Sequence, residues 1–198
     1  MRALVHVRDE ELADRRAKGL DRRDEMWEGV LHMTPAPSLE HQRMLDELIE
    51  FLRPSLRRAG RGGLFSGITV FRDRGAEHDY RIPDLTFVTA GREHVLQPDG
   101  IRGEGPDAVI EIRSPDDETY EKLPFYAALG IPEVVVCDRD TKAPEIFRLA
   151  GSEYLLLQAD RGGWLTSSVL GVRLRRMDGT PPRLRIEDTS ESSVSADI

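Results

Sequence analysis

Residues 107–138 read DAVIEIRSPDDETYEKLPFYAALGIPEVVVCD, and the succession of patterns within this stretch decides the fold. Ala108 to Ile112 is a short apolar strand broken only by Glu111. After Ser114-Pro115 the chain turns helical and stops at Gly130. Pro124 fits only a first turn, so the regular helix is predicted to start near Leu123. Glu133 to Cys137 is then a continuous apolar run, the pattern of a strand buried on both faces. Strand, helix, strand, with hairpins added on either side, predicts an α/β fold built on a mixed sheet.

The flanks extend that core. Upstream, Ile82 to Val88 reads as a strand introduced by Pro83, and Leu64 to Phe71 as another. Before them, Ser38 can cap a helix in which Met44, Leu45, Leu48, Ile49, Leu52 and Leu56 recur at helical spacing. Gly60, Gly62 and Gly63 end it. Met26 to Met33 reads as a hairpin around Gly29, and residues 9–19 are charged and helix-compatible. Downstream, Glu145 to Leu149 and Tyr154 to Gln158 form an antiparallel meander. Trp27, Trp164 and Tyr126 are expected in the core, with Cys137 as a small buried apolar residue. The expected domain spans residues 1–177. Residues 178–198 lose periodicity and read as a mobile tail.

Composition narrows the function. The chain has 198 residues, 39% hydrophobic and 32% charged, ordinary for a soluble domain. No apolar run is long enough to span a bilayer, and the lone cysteine precludes an internal disulfide, so a reducing cytoplasm is expected. A net charge of −8 argues against a protein that coats nucleic acid indiscriminately. Charge is nevertheless segregated. Residues 53–72 hold five arginines and no acid, and residues 161–186 hold six arginines against Asp178 alone. Residues 99–121 hold eight acids against Arg102 and Arg113. An acidic centre between basic segments suits a cation site that acts on a polyanion, although solvated faces of alternating sign give the same pattern.

Within the acidic centre, Asp84 follows Pro83 at the head of an apolar strand, and Glu111 and Arg113 point to one side of another. Charged groups at such positions are costly unless paired or metal-bound. Two carboxylates from adjacent strands can share an oxygen-ligated Mg²⁺, with water and a phosphate completing its octahedron. Simple ion pairs with Arg81, Arg113 or Lys122 are the other reading. None of the other histidines is spaced with a second His or Cys as zinc ligands are.

Pro83-Asp84 followed by Glu111-Ile112-Arg113 resembles the PD-(D/E)XK nuclease pattern with Arg in the lysine place. The segments WEGVLHMTPAPSLEHQRM, RIPDLTFV, PDAVIEIRSPDDETYEKLPFYAALGIPEVVVCDRD and EIFRL, in that order, resemble a large bacterial family of "putative restriction endonucleases". That family was long catalogued as a domain of unknown function and is abundant in cyanobacteria. The similarity runs from about Glu25 to Leu174. It implies a restriction-endonuclease-like fold, a mixed β-sheet core flanked by helices, and Mg²⁺-dependent (or Mn²⁺-dependent) cleavage of DNA, in a homodimer. By the same resemblance Asp84, Glu111 and the backbone carbonyl of Ile112 are the metal ligands, and Lys122 is the functional lysine. Arg113 becomes a phosphate clamp, because a guanidinium does not act as a base. Glu40 corresponds to an accessory acid, though a first-turn carboxylate also suits the helix dipole. His41 lies beside it and is equally compatible with core packing. Arg57, Arg58 and Arg61 are the expected nucleic-acid contacts. The arginine in the lysine place and the acidic net charge support an alternative, a catalytically silent binding module on the same fold.

Overall fold

The computed structural model describes residues 4–6, 8–19, 21, 23–75 and 78–198. The chain opens with β1 (Leu4–His6), α1 (Asp9–Ala17), the hairpin β2 (Asp24–Trp27) and β3 (Val30–Met33), and the long helix α2 (Leu39–Arg58). Next come β4 (Gly62–Ser66), β5 (Val70–Phe71), β6 (Tyr80–Arg81), β7 (Leu85–Thr89), β8 (Leu96–Gln97), β9 (Gly100–Ile101) and β10 (Ala108–Arg113). After α3 (Leu123–Ala128) follow β11 (Glu133–Asp138), β12 (Pro144–Ala150) and β13 (Glu153–Leu156). The chain closes with β14 (Leu165–Ser167), β15 (Val172–Met177), β16 (Arg183–Asp188) and β17 (Ser195–Asp197).

The strands form three sheets, and the fold is mixed α/β. The central sheet runs β13-β12-β11-β10-β7-β4. Its β10 and β11 are parallel, joined through α3, while the other pairs are antiparallel. Side chains on β10 alternate between two cores. Ala108, Ile110 and Ile112 face the apolar side of α2, where Met44, Leu48, Leu52 and Leu56 are buried. Val109 faces the opposite layer, built from α3 with Phe125, Tyr126 and Ile131. Glu111 shares the Val109 face, so the sheet itself aims a carboxylate at α3. Helix α2 begins where the sequence predicts, with Ser38 Oγ accepting from the His41 N–H at 3.2 Å.

Several expectations are corrected. The predicted strand 64–71 is two strands in two sheets, separated at Gly67, whose φ of +59° turns the chain. The strand after Pro83 begins only at Leu85. The expected tail is largely structured. β16 pairs with β15 over six residues and with β17. Leu184, Ile186 and Ile198 are buried in the α2 core. The sequence RLRIED alternates apolar and charged residues, a period that its polar flanks obscure. Trp27 and Trp164 are only half-buried, each against arginine guanidinium groups. Among the described residues no helix is long and apolar enough to cross a membrane.

Candidate active site

The ladder between β7 and β10 ends at the pair Leu85↔Ile110. One further step of the same register would set Asp84 opposite Glu111. Pro83 has no N–H to continue the pairing. The Asp84 side chain takes over instead, its Oδ2 accepting from the Ile112 N–H at 2.7 Å. Asp84 is thereby tied to β10 beside Glu111. On the α3 side, Tyr126 OH donates to Glu111 Oε1 at 2.5 Å, and Lys122 Nζ stands 3.2 Å from the same oxygen. Lys122 Nζ also lies 2.9 Å from Glu25 Oε1 on β2. Glu25 is held in turn by the Ile82 N–H and by Trp27 Nε1, each at 2.9 Å. From α2, His41 Nε2 reaches Asp84 Oδ2 at 3.3 Å.

Two carboxylates, Glu25 and Glu111, thus share one buried lysine, with Asp84 beside them, and the electrostatics follow. Burial pushes the Glu111 carboxyl up to about 7, with Asp84 and Glu25 adding to the rise and Lys122 opposing it. Burial alone would lower Lys122, but Glu111 and Glu25 outweigh it and hold the ammonium well above its ordinary value. Burial tends to lower His41 as well. The Asp84 hydrogen bond together with the charges of Asp84 and Glu111 outweighs it, and the imidazole is raised.

The cluster lines a cleft of about 720 Å³ whose walls also include Arg23, His32 and Arg139. The donors are hard oxygens, and Glu111 is crowded by more negative charge than its surroundings neutralise, so the residues fit a hard divalent cation. Among the described residues no three His, Cys, Asp or Glu side chains close into a ready metal cage.

The profile of a protein family described as "Uma2: putative restriction endonuclease" matches residues 9–178, most of the chain. The chain belongs to the Uma2 family. A crystal structure of a putative nuclease of DUF820 from Anabaena variabilis superposes with a TM-score of 0.59 at 17% identity. The match covers 74% of this chain and 82% of that one, and the likeness is one of fold. No curated protein matches.

Within this Uma2 fold, the residues singled out in the sequence fall into two groups. Asp84, Glu111, Ile112 and Lys122 converge on the cleft. Glu40 does not. Its side chain is 56% exposed and pairs with Arg43 at 3.0 Å, because the α2 backbone turns it outward. The neighbouring His41 takes the inward position. Arg113 lies past the cluster, bound to Asp138 at 2.7 Å and resting on Tyr120. Arg57 and Arg58 lie in the last turn of α2, while His41 lies in the first. At 1.5 Å per residue that is roughly 24 Å from the cleft. Arg61 is turned onto the carbonyls of Ser168 and Val169.

Glu25, Arg23 and Arg139 are cleft residues that the sequence did not single out. Glu25 lies in β2 between buried Asp24 and Met26, and this four-residue strand has no alternation that would mark it. Its role depends on Ile82 and Lys122, both distant in sequence. Arg139 follows directly on β11, pairs with Asp140 at 2.7 Å, and reaches Ser38 Oγ at 3.2 Å and Ser114 Oγ at 3.5 Å. Nothing local distinguishes it from Arg113.

Proposed function

We propose that the chain is a divalent-metal-dependent endonuclease hydrolysing phosphodiester bonds of DNA, with Mg²⁺ (or Mn²⁺) held by Asp84, Glu111 and the Ile112 carbonyl. The observation that carries this is the meeting of Asp84, Glu111 and Lys122 at one cleft. A metal held there would polarise the scissile phosphate and lower the pKa of a bound water. Lys122, held between Glu111 and Glu25, supplies positive charge toward the displaced phosphate. The Ile112 amide fixes the rotamer of Asp84, and His41 holds the same carboxylate from the other side. Arg139 and Arg23 line the cleft as phosphate contacts, the task that the sequence reading gave to Arg113.

The second reading, a silent binding module, has its own support. Lys122 neutralises Glu25 and Glu111 without any metal, as a purely structural ion pair would. Incubation of the purified protein with supercoiled plasmid separates the two. The nuclease reading expects nicking that requires Mg²⁺ or Mn²⁺, stops with chelator, and falls by about 10²-fold or more in Asp84→Asn. Plasmid left intact with either metal, or cleaved equally by Asp84→Asn, refutes it. A two-fold dimer would suit cutting both strands. Leu155 and Leu156, exposed on edge strand β13, offer a seam for it, and light scattering on the intact chain reads the mass.

A further inference from the structure

The second arginine-rich segment of the sequence, residues 161–186, is not absorbed by the cleft. In the fold it forms β15 and β16, a ribbon whose inner residues Leu174, Leu184 and Ile186 are buried against α2. Its charge is graded along its length. At one end Val172 pairs with Asp188 and Arg173 with Glu187, so acid meets base or apolar residue. Toward the other end Arg175 stands opposite Arg185, and Met177 opposite Arg183. Like charges directly across an antiparallel pair are unfavourable for folding.

The cations of this end are unequally compensated. Arg185 has Glu187 and Asp197, and Arg176 has Asp178 at 3.3 Å. Among the described residues neither Arg175 nor Arg183 has a carboxylate within ion-pair distance. Arg175 lies on the Trp164 ring at 4.4 Å, and its Nε is buried with no hydrogen-bond partner. Its Nη1 donates to the Gly162 carbonyl at 3.5 Å, and an anion at the guanidinium end would relieve the repulsion between Arg175 and Arg185. The same end touches the turn that follows β11. Arg176 Nε donates to the Thr141 carbonyl at 3.0 Å, in the turn after β11 that carries Lys142 and the cleft residue Arg139.

We propose that the basic end of the β15–β16 ribbon docks the phosphodiester backbone of the nucleic acid whose scissile phosphate enters the cleft. The track runs from Arg139 at the cleft, over Lys142, to Arg175 and Arg183. It rests on the nuclease reading above for the identity of the polyanion. On a chain of net charge −8, one graded basic face also sets the direction from which a polyanion approaches.

The test is binding of a fluorescently labelled DNA duplex to the intact chain in EDTA, where metal-dependent cleavage is silent, across a potassium chloride series. Replacing Lys142, Arg175 and Arg183 together by Gln removes three phosphate contacts. The slope of log affinity against log salt should shrink by about 2–3 units, at 0.9 per contact, with roughly 10²-fold weaker binding near 0.1 M salt. Arg57→Gln with Arg58→Gln, at the far end of α2, should leave the slope unchanged. Arg175→Lys with Arg183→Lys should retain it, which separates charge from packing on Trp164. Should the triple variant not fold, exposed Arg183→Gln and Lys142→Gln each read about one unit singly. An unchanged slope in these variants, an equal loss in the Arg57/Arg58 variant, or no duplex binding by the wild type overturns the track. The plasmid assay reports separately. A wild type that binds through the track yet cuts nothing refutes the nuclease reading alone, and one that cuts while these variants keep their slope refutes the track alone.

Discussion

Glu111 and Glu133 stand on neighbouring parallel strands, both buried, both with carboxyl groups that burial raises above the ordinary value. By composition and accessibility they are the same kind of residue. Their surroundings differ. Glu133 is sealed into the α2 side of the sheet, where Ser167 Oγ donates to it and Arg148 Nη2 lies 3.4 Å away. Every group touching it lowers its charge cost, and no second acid contributes to its shift. Glu111 opens on the cleft, and two further acids, Asp84 and Glu25, raise it against Lys122 and the Tyr126 hydroxyl. A buried carboxylate alone therefore marks nothing. Carboxylates crowded against one another at a cavity mark a place built for a cation.

Removing each glutamate's basic partner should separate the two regions most widely. Lys122→Ala leaves Glu25 and Glu111 buried without a countercharge, and breaking a buried pair costs about 3–5 kcal/mol. Arg148 is 46% exposed, and Arg148→Ala should cost under about 1 kcal/mol. Urea unfolding of both variants in EDTA measures the gap. Equal losses would mean that Lys122 is no more than a surface ion pair and that the cleft is not charge-crowded.

A difference in pH dependence comes next. A carboxyl raised from 4.5 to about 7 in the folded state keeps its proton while the unfolded chain has already ionised. Stability is then full below pH 4.5 and falls as pH rises toward 7, at a limiting slope of about 1.4 kcal/mol per unit. Metal-free wild type should show this decline in the urea midpoint. Glu111→Gln, which cannot ionise, should flatten it and should be the more stable protein at pH 7. Added Mg²⁺ should offset the same decline in the wild type by binding the ionised form. A midpoint that rises over this window contradicts the assignment of Glu111 as the strained member of the pair.

On the sealed side, Ser167→Ala removes the hydroxyl that donates to Glu133 and accepts from the Leu170 N–H at 3.0 Å. A buried carboxylate and a buried amide lose a partner together, for about 1–3 kcal/mol. Plasmid nicking should not change, because nothing near the cleft is touched. Loss of nicking at unchanged stability would show that the two regions are coupled and end the contrast between them.

The same contrast explains what the sequence could and could not disclose. The α2 helix, the crossover from β10 through α3 to β11, and Pro83-Asp84 are written in local spacing, cap and breaker residues, so they were legible. Asp84 and Glu111 stood out within their own strands, whereas Lys122 was named only through the family resemblance. Glu25 and Arg139 act through partners far along the chain, and no local pattern announces that. β16 was hidden by its polar flanks, although Leu184 and Ile186 keep strict alternation. Glu40 misled because a helix first turn favours an acid whatever its surroundings.

The smallest effect belongs to Glu40, and it bears on how the cleft is drawn. Adjacent residues on a helix point about 100° apart, so α2 can present either Glu40 or His41 to Asp84, not both. The structure presents His41, at 3.3 Å, and leaves Glu40 to an exposed pair with Arg43. Such a pair contributes about 0.3–0.5 kcal/mol, and the first-turn carboxylate adds a comparable amount through the helix dipole. Glu40→Ala should therefore cost under about 1 kcal/mol and leave metal-dependent nicking where it was. His41→Ala should slow nicking by roughly 10-fold to 10²-fold, as removal of a group that orients a metal ligand does. If Glu40→Ala proved the more damaging to nicking, α2 would have to enter the cleft rotated by that one step. The acid crowd would then include Glu40, and His41 would return to the core.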